Sequence, residues 1–163
     1  MPQAENISAV PTTIAPGTEI VLRDQEGVSR RLADFRGHCV VLFFYPKDDT
    51  PGCTVEGKEF RELYDQFHAF ETVVIGVSTD SVESHARYAE KHAFQFLLLS
   101  DQAGEMAQAF GVLREKYAAR TTFVLDHDLR IRRTFNEVTP RGHAQQVLNF
   151  VRSLIEGHRM IGG

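Results

Sequence analysis

Tryptophan is absent from this 163-residue chain, and cysteine occurs twice. Two cysteines are too few for a disulfide framework or a four-ligand zinc site. Cys39 and Cys53 are also too far apart for Cys-x-x-Cys, which removes the ordinary dithiol oxidoreductase motif. No surplus of basic charge exists either: 18 Lys and Arg against 22 Asp and Glu give a net charge of −4. Neither nucleic acid nor an anionic membrane is therefore expected as a partner. The run Arg130-Ile131-Arg132-Arg133 is short and alternating, and reads as a solvated strand face. The longest apolar run, Cys39 to Tyr45, is too short to span a bilayer as a helix. Residues 1–17 have neither the basic start nor the apolar centre of a secretory signal, so a cytoplasmic location is expected. Gly-x-x-x-x-Gly-Lys-Ser/Thr, Gly-x-Gly-x-x-Gly and His-Glu-x-x-His are missing as well, so no nucleotide, metal or other cofactor is expected.

What is present suits one folded domain over 1–163. With 42% hydrophobic residues and twelve Phe, the chain can build a core without staples. Pro2, Pro11 and Pro16 mark residues 1–17 as an extended arm. Apolar stretches at 20–22 and 28–32 flank Asp24-Gln25-Glu26-Gly27, which predicts a hairpin. Residues 39–45 form a continuous β-branched and aromatic run between Gly37 and Pro46, the pattern of a strand covered on both faces. Phe60, Leu63, Tyr64, Phe67 and Phe70 have helical spacing and predict a helix over 56–70. Further strands are expected at 72–79, 96–99, 121–125 and 131–135, and helices at 81–92, 105–110 and 142–155. The alternation predicts an α/β fold: a mixed central sheet flanked by helices, with an N-terminal β-hairpin extension.

Chemistry concentrates between the central strand and the long helix, in Tyr45-Pro46-Lys47-Asp48-Asp49-Thr50-Pro51-Gly52-Cys53-Thr54-Val55-Glu56. Thr50 suits a helix N-cap and Pro51 the first helical position, which puts Cys53 third in the first turn. Unpaired N–H groups and the positive end of the helix dipole there favour thiolate over thiol. A lone cysteine is more often an inert core residue. A strand-to-helix junction at the carboxyl end of a sheet, however, is where reactive groups collect, so Cys53 is read as a nucleophile.

Pro46, Thr50 and Cys53 fit Pro-x-x-x-Thr/Ser-x-x-Cys, and residues 44–54, Phe-Tyr-Pro-Lys-Asp-Asp-Thr-Pro-Gly-Cys-Thr, resemble the peroxiredoxin Q subgroup of peroxiredoxins, also called bacterioferritin comigratory protein. Leu32-Ala33-Asp34-Phe35-Arg36-Gly37, Val77-Ser78-Thr79-Asp80, Leu99-Ser100-Asp101 and 120–126 extend the resemblance over most of the chain. It implies a thioredoxin-like fold and a thiol-dependent peroxidase reducing hydrogen peroxide and organic hydroperoxides. Cys53 would be the peroxidatic thiolate, Thr50 would orient the peroxide and Pro46 would shield the sulfur. Arg120 would stabilise the thiolate and the charge developing on the departing oxygen. Glu56 matches the subgroup's Cys-Thr-x-Glu, but it reads as an exposed first-turn residue serving the helix dipole and stays outside the catalytic set.

The resemblance breaks where a resolving cysteine would stand. The position five residues after Cys53 is Lys58, and the alternative site in the next helix falls near Ala89. Cys39 begins the central strand and Cys53 follows its far end, about 20 Å away at roughly 3.3 Å per residue; a disulfide needs Cα atoms within about 7 Å. A one-cysteine cycle is expected, with the sulfenic acid reduced by an external thiol such as thioredoxin, glutaredoxin or glutathione. Excess peroxide should then drive overoxidation. Two other readings stand beside it. One is a peroxide sensor or thiol relay without sustained turnover. The other is a cysteine hydrolase using His85, His92 or His143. Whether the chain is a monomer or a dimer is left open.

Overall fold

The computed structural model describes residues 13–162. Residues 1–12, most of the expected extended arm, lie outside them, whereas Thr13–Ile14 (β1) pairs with a strand of the main sheet. The remaining strands of that sheet are β2 (Leu22–Arg23), β3 (Ser29–Arg30), β4 (Cys39–Phe44), β5 (Thr72–Ser78), β6 (Leu97–Ser100), β9 (Thr121–Leu125) and β10 (Arg130–Phe135). Their order is β1-β10-β9-β4-β5-β6-β2-β3. The β4–β5 and β5–β6 pairs are parallel, and the rest are antiparallel. The expected hairpin is β2–β3, joined to the sheet edge through Arg23 and Ser100. Two-residue strands at both margins leave little edge for another chain to extend.

The all-apolar sequence of β4 follows from its place in the middle of the sheet. Its side chains alternate between two cores, as strand geometry requires. Val41, Phe43 and Tyr45 enter one, and Val40, Leu42 and Phe44 the other. Each such Phe or Leu contributes about 1.5–3 kcal/mol on burial. Gly76 in β5 makes room for the first core: a Cβ there would lie 2.8 Å from the Phe43 ring and 2.9 Å from Leu98. That core is closed by α1 (Pro51–Glu62), α2 (Tyr64–Ala69), α3 (Val82–His92) and α5 (His143–Gly162), through Phe60, Phe67, Tyr88, Val147 and Val151. On the other face lie α4 (Glu105–Ala109), through Met106 and Ala107, and a 3-10 turn at Leu32–Phe35, through Leu32.

Local features depart from the sequence reading. The helix opens at Pro51 behind Thr50, as the motif predicts, but the expected continuous run to 70 divides at Leu63 (φ −98°, ψ 6°) into α1 and α2. Between α4 and β9, a small hairpin of β7 (Leu113–Arg114) and β8 (Tyr117–Ala118) forms a separate two-stranded sheet. The basic run at 130–133 is half-buried rather than solvated: Arg132 meets Asp126 at 3.4 Å, and the Arg133 guanidinium lies 4.5 Å over the Phe135 ring. Among the described residues, no helix is long and apolar enough to cross a membrane.

Candidate active site

The loop leaving β4 turns sharply into α1. Thr50 occupies the N-cap position with extended backbone, Pro51 opens the helix and Cys53 is its third residue. Thr50 caps through its backbone alone: its carbonyl accepts from Thr54 N–H at 2.9 Å, while its hydroxyl donates to Lys47 O at 3.1 Å. Pro46, half-buried, ends the strand. The buried residues of α1 are Cys53, Glu56, Gly57 and Phe60, a stripe at i, i+3, i+4 and i+7 facing the first core.

Cys53 is buried, 3% exposed. Arg120, immediately before β9, reaches it across the sheet. One guanidinium nitrogen, Nη2, donates to Cys53 Sγ at 3.4 Å, and the other, Nη1, donates to Glu56 Oε1 at 2.8 Å. Burial opposes the guanidinium charge, but its proximity to the acidic groups of Cys53 and Glu56 more than offsets this, and the Arg120 pKa is raised. Gly52 leaves room for this approach, since a Cβ there would lie 3.1 Å from Arg120 Nη2.

Glu56 corrects the sequence reading. It is fully buried rather than exposed, and it braces Arg120. Burial lifts its carboxyl to about 7 against the opposing pull of Arg120. Its second oxygen, Oε2, is buried and has no hydrogen-bond partner among the described residues. The sequence signal was a carboxylate inside an otherwise apolar helical stripe.

The candidate histidines are engaged elsewhere. His85 contacts Asp48 and Leu99, His92 contacts Asp49, and His143 contacts Thr122. Burial, aided by repulsion from Arg120, depresses His143 to about 4. Cys39 sits at the start of β4, 3% exposed, bordering a cavity of about 350 Å³ at the end of that strand remote from α1. Burial and the Asp126 charge push its thiol up to about 11, which disfavours the thiolate. Both cysteines are free. Asp48, Asp80 and His85 bring ligand-type atoms within 4.8 Å of one another, but protein partners already engage those atoms.

Residues 11–134 match the AhpC/TSA family. The chain belongs to that family. Peroxiredoxin Bcp of Bacillus subtilis (strain 168) is 36% identical over 146 residues, covering 85% of this chain and 93% of the relative. Chloroplastic peroxiredoxin Q of Sedum lineare is 37% identical over 137 residues, covering 82% and 74%. A structure of the Xanthomonas campestris bacterioferritin comigratory protein, from work on its alkyl peroxide reduction, superimposes with a TM-score of 0.85 at 31% identity, covering 89% of this chain and 99% of that one. The fold is accordingly thioredoxin-like, as the resemblance implied, and the protein is a peroxiredoxin, a thiol peroxidase.

Proposed function

We propose that this peroxiredoxin reduces hydrogen peroxide and organic hydroperoxides through a one-cysteine cycle centred on Cys53. The observation that carries the reading is the guanidinium of Arg120 held between Cys53 and Glu56. A fork fixed in this way favours thiolate and faces the charge that grows on the leaving oxygen. The Cys53 thiolate attacks one peroxide oxygen; an S–O bond forms and the O–O bond breaks. The departing alkoxide or hydroxide takes a proton and leaves as alcohol or water, and Cys53 becomes the sulfenic acid. Thr50 orients the peroxide once its hydroxyl turns from Lys47 O, and Pro46 keeps bulk water from the sulfur.

Reduction comes from outside the chain. A thiol attacks the sulfenic sulfur, water leaves, and a second thiol releases Cys53 as a disulfide forms between the two reductant sulfurs. Lys58 and Ala89 stand where relatives could place a resolving cysteine, and Cys39 lies at the wrong end of β4. Thioredoxin, or glutathione with glutaredoxin, is the proposed class of donor, available in a reducing compartment such as the cytoplasm.

Steady-state peroxide consumption with excess thiol tests the cycle. Cys53→Ser should abolish turnover and Cys39→Ser should leave it intact. After one equivalent of peroxide, mass spectrometry should find Cys53 oxidised, and further equivalents should give sulfinic acid and inactivation. A dominant Cys39–Cys53 disulfide would refute the one-cysteine assignment. Oxidation that stops after one equivalent despite excess thiol would instead favour the sensor reading.

A further inference from the structure

Between β4 and α1 the chain runs Pro46-Lys47-Asp48-Asp49-Thr50, and Asp49 within it holds a left-handed backbone conformation, φ 62°. That conformation is unfavourable for a residue with a Cβ, so the surroundings must hold the loop in place. Two successive aspartates tie it to α3. Asp49 pairs with Lys91 at 2.8 Å and with His92 at 3.3 Å on the surface. Asp48 is instead buried and saturated: Oδ1 accepts from Tyr45 OH at 2.6 Å, and Oδ2 accepts from Ser84 OH at 2.8 Å and lies 2.7 Å from His85 Nδ1. Its backbone N–H donates to Asp80 Oδ2 at 2.8 Å.

His85 is fully buried, and its second nitrogen, Nε2, lies 3.0 Å from Leu99 O. Both ring nitrogens thus face oxygen acceptors, and a carbonyl has no proton to give. Through these two contacts the imidazole joins β6, α3 and the loop.

We propose that His85 is a positioning residue for Cys53 oxidation: through Asp48 it locks the loop whose far end sets Thr50 and the start of α1. The lever is short. Asp48 is two residues from Thr50, whose carbonyl begins the helix by accepting from Thr54 N–H. The Thr54 hydroxyl in turn lies 3.3 Å from Tyr88 OH on the same helix as His85. Slack in the clamp would therefore misplace Thr50 relative to the sulfur while leaving the sulfur and Arg120 in contact.

This inference rests on the peroxidase reading, and the test separates the two. In stopped-flow measurements at pH 7, His85→Gln should lower the rate of Cys53 oxidation by hydrogen peroxide about tenfold or more, since displacements near 1 Å have effects of that size. Alkylation of Cys53 by iodoacetamide needs no oriented peroxide and should stay within about threefold, with thiolate absorbance at 240 nm preserved. Equal losses in both reactions, or no loss in either, would overturn the clamp. Ser84→Ala removes one donor to Asp48 at a half-buried position and covers the case in which His85→Gln fails to fold. It should slow oxidation about two- to threefold, and an unchanged rate counts against the proposal. A wild type whose Cys53 ignores peroxide would sink the peroxidase reading itself.

Discussion

Arg120 carries two tasks with one planar group, and this sets its tolerance to substitution. Lysine keeps the charge but offers a single ammonium head, which cannot place separate N–H groups on Cys53 and Glu56. Arg120→Lys should therefore slow peroxide oxidation of Cys53 on the order of 10²-fold, measured by stopped-flow at saturating reductant. A rate within a factor of about two of wild type would mean that charge alone suffices. The Cys53 motif was legible in the sequence because it is local: the cap, the proline and the thiol lie within four consecutive residues. Arg120 could be named only through the family resemblance, because sixty-seven positions separate it from Cys53 and the sheet alone joins them. Glu56 was misjudged for a related reason. A first-turn acid usually serves the dipole in water, and only the packing of α1 on the sheet shows that this position faces inward.

At the level of elements, the strands and helices with strong periodicity appear within a few residues of where the sequence places them. The exceptions lack local punctuation. No glycine or proline marks Leu63, where α1 gives way to α2, and the apolar spacing runs straight through the break. The β7–β8 hairpin turns through Glu115 at φ 56°, a residue without the usual turn signature. Helix α3 ends in the same manner, with Ala93 left-handed at φ 55° as its C-cap. Glycine adopts that conformation without the Cβ penalty. Ala93→Gly should consequently stabilise the protein by about 0.5–1 kcal/mol, read as a higher midpoint in urea at unchanged slope. A lower midpoint would show that the lost methyl packing outweighs the backbone relief.

Across the whole molecule, the sheet separates two cores and puts the thiols at opposite ends of β4. The first core also encloses two groups that couple folding to pH with opposite signs. Glu56 titrates near 7 folded against an ordinary 4.5, so between those values the native state holds a proton that the unfolded chain has released. Its contribution falls as pH rises through that window. His143 titrates near 4 folded against 6.5, so there the unfolded chain holds the extra proton, and its contribution is lost as pH falls from 6.5 to 4. Where the windows overlap, the two slopes oppose each other. Glu56→Gln removes one of them and retains an oxygen to accept from Arg120. The variant should therefore gain stability relative to wild type by about 1.4 kcal/mol per pH unit within the Glu56 window, and the difference should level off above it. Urea denaturation of both proteins at pH 5, 6, 7 and 8 measures this difference. A constant offset across the series would mean that Glu56 stays ionised in the folded protein, with Arg120 prevailing over burial.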